Sequence, residues 1–224
     1  MVISGHAVNA QKRAVPRSTP ARIPASVPVK KVIASDAPAG RTYTNAGLGF
    51  RLTFPSNWLI PGKEFEATMK KQGFDLSLKA PDSLPPVTRA QVNRAVQNVE
   101  ILLTAYRSMP GSAENAIVRI SVEDLAPHPQ IRDAVDYFDA IRASFAAMKL
   151  PEDMKYSETQ AERLGAMQFG FLDVSNKAGK KRMYATVRDR KAIQFTLSYT
   201  QDEDLETFRR VLAEGDFKIP RDIK

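Results

Sequence analysis

The sequence predicts an α+β domain, in which an antiparallel β-sheet of about six strands packs with two main helices. Six short segments alternate apolar and polar residues, as half-buried strands do, and two others repeat apolar residues at helical spacing. The last three strand segments follow one another with short connections, which favours an antiparallel meander. With 43% apolar and 26% charged residues in a chain of 224, the composition is that of an ordinary globular protein.

In the N-terminal half of the domain, the sequence predicts one strand, followed by a pair of strands. Phe50, Leu52 and Phe54 alternate with polar residues before a Pro-Ser-Asn turn. Segments 99–105 and 118–122 also alternate, and the turn at 109–112 between them suggests antiparallel pairing.

Residues 62–98, which lie between the first strand and this pair of strands, have a pattern that is hard to interpret. Residues 75–78 could form a short strand, and Thr88 with Gln91 fits a capping box that opens a short helix.

The C-terminal half predicts a long helix over residues 131–148, three strands at 167–171, 183–187 and 193–199, and a closing helix over 205–212. Thr200 with Glu203 forms a second capping-box pattern, and Gly215 suits the C-terminal cap. Gln194, Thr196 and Ser198 make one side of the last strand polar. We expect the two helices to cover the sheet, either on opposite faces or together on one.

Residues 1–41 predict a disordered, proline-rich, basic tail or spacer ahead of a single α+β domain at 42–224. The tail holds five prolines and no aromatic residue between positions 11 and 40, so it has little to bury. It also carries seven basic residues against Asp36, which is most of the net charge of +8. The 26 basic and 24 acidic residues that remain nearly balance, so the sequence does not predict nucleic-acid binding.

Export is predicted from the small-residue pattern Val8-Asn9-Ala10, which resembles a signal-peptidase site ahead of a spacer. Our hypothesis is that Met1 is a late start, that residues 1–10 are the remnant of a leader, and that the protein is periplasmic or secreted. The alternative is a chance pattern in a cytoplasmic protein. No segment reaches the ~18 consecutive apolar residues of a membrane span.

Candidate chemistry is sparse. The absence of cysteine excludes thiol catalysis and cysteine-ligated metals. His6 lies in the tail and His128 in a Pro-His-Pro loop, where a solvated histidine is the simpler interpretation. We predict no catalytic residue, no cofactor site and no metal site.

The acidic residues are interpreted as a solvated surface rather than as a metal or acid–base site. They are Glu123 and Asp124 next to each other, and Asp133, Asp136 and Asp139 on the long helix. Neighbouring carboxylates point in different directions, and on the helix Asp136 can pair with Arg132 and Asp139 with Arg142.

Three further patterns have a functional and a structural interpretation. Gly47-Leu48-Gly49-Phe50 matches the carboxylate-binding loop of PDZ domains, but a tight turn explains it more simply. The basic groups Lys180-Lys181-Arg182 and Arg188-Asp189-Arg190-Lys191 are expected at hairpin ends, where they could meet an acidic partner or anionic lipid, or serve solubility. Trp58, the sole tryptophan, is predicted to be a core anchor.

The order of elements, together with the turn Phe54-Pro55-Ser56-Asn57-Trp58 and a final Phe217, resembles the PsbP-like fold. This family includes extrinsic photosystem proteins, a nuclear-transport cofactor and many bacterial exported proteins of unknown role. The resemblance covers residues 42–224 and implies a sandwich of sheet and helices that acts as a non-enzymatic interaction or assembly module. It carries no common catalytic motif, so it transfers no functional residue.

The function predicted from the sequence is therefore an exported module that binds another protein, without enzymatic activity or a cofactor. The alternative is a small-molecule or lipid-binding domain with a pocket between sheet and helix. A third and weaker option is a hydrolase that uses His128. A ligand-sized pocket beneath the long helix would favour the second option, and the oligomeric state is not predicted.

Overall fold

The computed structural model describes residues 41–218 except 63, 75, 77–78, 81–83 and 113. The strands are β1 (Thr42–Asn45), β2 (Phe50–Thr53), β3 (Val99–Tyr106), β4 (Ile117–Asp124), β5 (Lys155–Tyr156), β6 (Gln160–Leu164), β7 (Met167–Asn176), β8 (Gly179–Arg188) and β9 (Lys191–Tyr199). The helices are α1 (Phe65–Lys71), α2 (Pro86–Gln97), α3 (Ala134–Ala147) and α4 (Asp202–Ala213).

The main sheet has seven strands in the order β3-β4-β9-β8-β7-β5, with β6 also paired to β7. Every pairing in it is antiparallel. Strands β7, β8 and β9 form the predicted meander, and β9 also pairs with β4, so β9 lies in the middle of the sheet. Both edges of β9 are therefore paired with other strands, and its two faces are covered by the elements that pack on the sheet.

One face of the sheet carries the aromatic core. From β9 it takes Phe195 and Leu197, which are 0% exposed, and Phe169 from β7 packs edge-on against Phe195 with ring centroids 5.9 Å apart. Helix α4 covers this face with its apolar side, which includes Phe208 and Leu212. Burial of this aromatic surface is the main source of stability on this side of the molecule.

A two-stranded sheet of β1 and β2 closes the aromatic core, with Phe50 and Leu52 fully buried. The backbone of Arg51 exchanges hydrogen bonds of 2.7 and 3.0 Å with that of Asp216, beyond α4. Leu59 exchanges hydrogen bonds of 2.7 and 2.9 Å with Tyr106 on the edge strand β3. The first pair of bonds joins the hairpin to the segment after α4, and the second joins the segment after the hairpin to β3.

The opposite face is only partly filled by helix α3. Phe138 of α3 packs with Leu172 of β7 and Ala185 of β8 in a second, smaller core. Gly170 of β7 allows the close approach, because a Cβ there would lie 2.9 Å from Ala134 at the start of α3. Helix α3 therefore lies over β7 and β8, whereas α2 packs on β3 at the other edge.

The structure confirms the predicted fold class, an α+β sandwich built on an antiparallel sheet, and places α3 and α4 on opposite faces. It adds elements that were not predicted, the strands β1, β5 and β6 and the helix α1. The short helix expected near Thr88 is present as α2. The predicted first strand is β2, which belongs to the small sheet rather than the main one. The strand suggested at 75–78 falls largely on positions outside the described residues, as does the tail at 1–40.

Both predicted capping boxes are wrong. Helix α2 begins at Pro86, so Thr88 lies inside its first turn, buried, with its hydroxyl 3.4 Å from the carbonyl of Lys149. The N-cap of α4 is Gln201, which makes no side-chain capping bond. Gly215 does follow the C-cap of α4, but crowding requires it, since a Cβ would lie 2.6 Å from Leu52.

Candidate functional site

A cavity of about 460 Å³ lies between the main sheet and the two helices on its partly filled face. Strands β4 and β9 form its floor. Helix α2 stands at one side of them, over β3, and α3 stands at the other, over β7 and β8. The cavity is therefore the space over β4 and β9 that lies between the two helices.

The walls of the cavity are apolar. Helix α2 turns Val92, Ala95 and Val96 toward it, and the edge strand β3 adds Val99 and Ile101. The side chains that α3 and its C-cap contribute are mostly apolar as well; they are Ala140, Ile141, Ser144, Phe145 and Met148. This surface suits an apolar molecule, because the hydrophobic contribution to binding grows with the apolar area removed from water.

The floor of the cavity is polar because of strand alternation. Residues of β9 that point to the aromatic core are buried, whereas Gln194, Thr196 and Ser198 point the other way and are half-buried. Within the described residues, the hydroxyls of Thr196 and Ser198 make no hydrogen bond with another protein group. They remain available to a ligand or to water.

Two cations flank these hydroxyls. Arg119 of β4 is paired in register with Thr196, and Lys181 of β8 is paired with Ser198. Because β9 runs between β4 and β8 and the two paired positions are two residues apart along β9, the backbones of the two basic residues are roughly 12 Å apart. Nη2 of Arg119 donates to the carbonyl oxygen of Leu76 at 3.2 Å, and no carboxylate of the described residues forms an ion pair with either cation.

Lys181 is in an unusual environment. Its side chain lines the cavity and is exposed, with protein atoms near the ammonium group. Desolvation by these atoms lowers the pKa of the Lys181 ammonium, and the positive charge of Arg119 lowers it further. These surroundings therefore disfavour the charged form of Lys181.

At the other end of the cavity, the carboxylate of Glu123 accepts a hydrogen bond from a neighbouring side chain. Tyr137, in the first turns of α3, donates a hydrogen bond of 2.8 Å to Oε2 of Glu123 on β4. Burial raises the pKa of Tyr137, and the Glu123 carboxylate raises it further. His128 and Gln130 line the cavity near this end, in the loop before α3.

The structure separates the basic groups that the sequence placed at hairpin ends. Strand β8 extends through Lys180, Lys181 and Arg182, so these residues alternate between faces. Lys180 pairs with Asp202 at 2.8 Å, and Arg182 pairs with Asp173 at 2.5 Å. Only Lys181 of the three points into the cavity.

The second basic group does form a hairpin end. Asp189 and Arg190 make the turn between β8 and β9, with positive φ at both positions. Arg190 Nη1 donates to the carbonyl oxygen of Ile131 at 3.1 Å, so it ties this turn to the loop before α3. This arginine supports the fold of that loop.

The helix acids are a structural surface, as predicted, with one addition. Asp136 pairs with Arg132 at 3.3 Å, and Asp139 lies 3.6 Å from Arg142. Asp133 is the N-cap of α3, where its carboxylate accepts hydrogen bonds from two backbone amides. This cap was not predicted from the sequence.

Two structural interpretations are confirmed. Gly49 has a φ of 71° in the β1–β2 turn, where its amide donates to the carbonyl oxygen of Asn45 at 2.9 Å. Trp58 is 4% exposed and packs beside Phe54 in the aromatic core. Neither position is available to a ligand of the cavity.

Sequence analysis named the polar residues of β9 and Lys181, but not as parts of one site, and it did not single out Arg119. The usable signal was the polar face of β9 combined with Arg119 and Ser121 on its partner β4. Among the described residues no cluster of three or more His, Asp or Glu side chains is placed to hold a metal. None of the helices in this part of the chain is both long and apolar enough to cross a membrane.

Comparison with known proteins gives similarity of fold only. No family model and no curated protein matches the sequence. A solution structure of the cyanobacterial PsbP protein CyanoP from Synechocystis aligns with a TM-score of 0.42 at 14% identity, covering 85% of this chain and 99% of its own.

Two crystal structures align less well. One is from Bacteroides thetaiotaomicron, with a TM-score of 0.37 and 10% identity, covering 80% of this chain and 48% of its own. The other is a protein of unknown function from Pseudomonas aeruginosa, with a TM-score of 0.37 and 15% identity, covering 61% of this chain and 88% of its own. The PsbP-like fold that the sequence resembles is thus represented among these structures.

Proposed function

We propose that this domain binds a small amphipathic molecule in the cavity between the main sheet and helices α2 and α3. The observation that carries the proposal is a cavity of about 460 Å³ with apolar walls and a few polar groups on its floor. Pockets that bind small molecules have this composition and measure roughly 300 to 1,000 Å³. A floor made of residues in the middle of a sheet is also rigid, which lowers the entropy lost on binding.

Binding without catalysis is the simpler form of this proposal. A nucleophilic hydroxyl needs a base within hydrogen-bonding reach. Thr196 and Ser198 make no hydrogen bond with a His, Asp or Glu side chain of the described residues, and Glu123 is bound to Tyr137 at the other end. These contacts favour recognition of a ligand over a hydrolase that uses His128.

Titration with the neutral apolar fluorophore N-phenyl-1-naphthylamine tests the proposal. The expected result is a saturable rise in fluorescence with one site per chain. In the variant Ala140→Phe, a phenyl ring enters the cavity from α3 and should lower the affinity at least tenfold. Ala143→Phe on the same helix is the matched control, because Ala143 is exposed and does not line the cavity.

The proposal fails if the fluorophore does not bind, or if the two variants bind it equally well. Equal binding would place the fluorophore on another surface. Circular dichroism of both variants before titration ensures that a loss of binding is not a loss of folding.

Export and association with another protein remain predictions from the sequence. Val87 on α2 is 73% exposed and is the most exposed large apolar side chain of the described residues. A single side chain is far smaller than the apolar patches that mark protein interfaces. Capture experiments with envelope extract would test the interaction, and fractionation of cells that express the full gene would test the location.

A further inference from the structure

Four hydrogen-bond donors converge at one end of the cavity floor. We call them the anion patch; they are Arg119, Thr196, Ser198 and Lys181, on three adjacent strands. Register pairing places Arg119 beside Thr196, and Ser198 beside Lys181. On the strand in the middle, Thr196 and Ser198 are two residues apart and therefore point to the same face.

Resting on the ligand-binding function proposed above, we propose that the ligand is an amphipathic anion whose carboxylate or phosphate group binds the anion patch, with its apolar body between α2 and α3. An oxyanion has several lone pairs and can accept hydrogen bonds from both cations and both hydroxyls. Charge-assisted hydrogen bonds of this kind are about twice as strong as neutral ones.

Neither cation of the patch forms an ion pair with a carboxylate of the described residues, in contrast to two half-buried arginines of the protein. Arg107 pairs with Asp204 at 3.1 Å, and Arg182 pairs with Asp173. Among the described residues, Arg119 donates to the carbonyl oxygen of Leu76 and the Lys181 ammonium has no hydrogen-bond acceptor. Two cations that face one cavity without a carboxylate partner in this part of the chain suit an anion that comes from outside it.

The opposite end of the cavity fixes the direction of the ligand. Glu123 lies four residues beyond Arg119 on β4, which is roughly 13 Å of extended strand. Its carboxylate repels an anion, and one of its oxygens accepts a hydrogen bond of 2.8 Å from Tyr137. An apolar tail that leaves the anion patch therefore runs along Ile141 and Ala140 toward Ile131.

Binding of an anion to the patch should also depend on pH. Lys181 has a lowered pKa in the empty cavity. A bound anion favours the charged ammonium and raises that pKa, so binding takes up a proton in the pH range between the two values. Affinity of the protein for an ionised ligand is then highest below the pKa of Lys181 in the ligand-free protein, and it falls as the pH rises from that value to the bound-state pKa.

Competition against N-phenyl-1-naphthylamine with probes of one chain length tests the inference on the full chain. The probes are decanoate, decyl phosphate, decanol and decylamine, each below its micelle-forming concentration. We expect either anion to displace the fluorophore at a concentration at least tenfold lower than decanol, and decylamine to be the weakest. A stronger effect of decyl phosphate than of decanoate assigns the head group to phosphate, and the reverse assigns it to carboxylate.

Variants of the patch give the decisive comparison. Arg119→Gln and Lys181→Gln should each weaken decanoate binding about tenfold or more and leave decanol unchanged. The matched control is Lys180→Gln, which removes a neighbouring charge on the same strand that points to the other face and pairs with Asp202. It should leave both probes unchanged.

Failure of the inference differs from failure of the proposed function. If the fluorophore binds the cavity but decanol competes as well as decanoate, or Arg119→Gln leaves decanoate unaffected, the cavity binds an apolar ligand and the anion is wrong. If decylamine competes best, the anion is also wrong. If the fluorophore does not bind at all, the proposed function is wrong.

Discussion

The hydrogen bond between Tyr137 and Glu123 offers a sharp test of the structure at the acidic end of the cavity. Tyr137 is 5% exposed, and its hydroxyl lies 2.8 Å from Oε2 of Glu123. The substitution Tyr137→Phe removes one oxygen atom and keeps the ring, which packs edge-on against Phe138 with centroids 5.5 Å apart. Any loss of stability then reports on the hydrogen bond rather than on packing.

The expected loss follows from the type of bond. A hydrogen bond to a charged group contributes roughly 1.5 to 3 kcal/mol to the free energy of unfolding. Glu123 is half-buried beside the cavity, where water can solvate it after the substitution, so the value should fall near the lower limit, about 1.5 kcal/mol. For a domain of this size, such a loss lowers the melting temperature by roughly 3 to 6 °C.

A matched pair on the other face of the sheet provides the control. Tyr184 is 0% exposed and donates to Oε2 of Glu162, also at 2.8 Å. Urea unfolding of Tyr184→Phe should show a loss of at least the same size. Only Tyr137→Phe should alter the binding of the fluorophore, because Tyr184 faces the aromatic core.

Alkaline pH supplies an independent reading of Tyr137→Phe. Burial and the Glu123 carboxylate raise the pKa of Tyr137 above its ordinary value of 10.0. The unfolded tyrosine therefore ionises first, and the folded protein loses stability as the pH rises above about 10. The variant lacks this loss, so the difference in unfolding free energy between the two proteins should shrink from pH 8 to pH 11. A difference below 0.5 kcal/mol at pH 8, or one that grows with pH, would refute the reasoning.

Three more substitutions have expected outcomes, all measured by urea unfolding. Arg107→Met leaves the Asp204 carboxylate, whose side chain is 5% exposed, without its cation and should cost about 3 kcal/mol at pH 8, the low end of the range because Arg107 is 25% exposed. The loss should be smaller at pH 5, since burial raises the pKa of Asp204 and protonation relieves the unpaired charge; an equal loss at both values would contradict this. Gly170→Ala places a Cβ 2.9 Å from Ala134 and should cost about 1 to 3 kcal/mol, whereas an unchanged midpoint would mean that α3 moves freely. Lys181→Met should leave the urea midpoint at pH 7 unchanged or raise it slightly, because it removes a charge whose pKa the surroundings lower but which solvent still screens; a loss of stability would contradict this.

The fold was predictable where one face of an element is buried and the other is not. Strand β9 shows this best, since its alternation of buried and half-buried residues is the same in sequence and structure. Helix α3 was predictable for the same reason, and its bounds agree with the apolar spacing at 131–148 to within a few residues. Period alone identifies such elements, because burial imposes it.

Elements without a contrast between two faces were harder to predict. Helix α2 was expected only as a short helix that opens near Thr88, because most of its residues are exposed or half-buried and its apolar side is weak in the sequence. Strand β5 has two residues and is held by pairing with β7, a contact distant in the chain. The capping boxes failed because their spacing is common and tertiary contacts, such as that of Thr88 with Lys149, determine where the helix begins.

The candidate site was predictable in kind but not in place. A polar face on a central strand indicates that something polar lies opposite, yet the sequence does not say whether that is a helix, water or a ligand. Arg119 and Lys181 are 62 positions apart and meet only because β9 pairs with both of their strands. This long-range pairing is what a pattern of local periodicity does not contain.

The way in which the two faces of β9 differ argues for a ligand rather than for incomplete packing. On one face Phe195 and Leu197 are fully buried, so this strand can be packed tightly where the sequence provides apolar residues. On the other face, Thr196 and Ser198 are short polar residues between two cations, although apolar residues there would allow the helices to close the gap. This arrangement contributes little to stability, since it places two cations beside apolar walls without a carboxylate partner among the described residues. A gap that is lined with apolar residues on its walls and with donors on its floor is instead what an amphipathic anion requires.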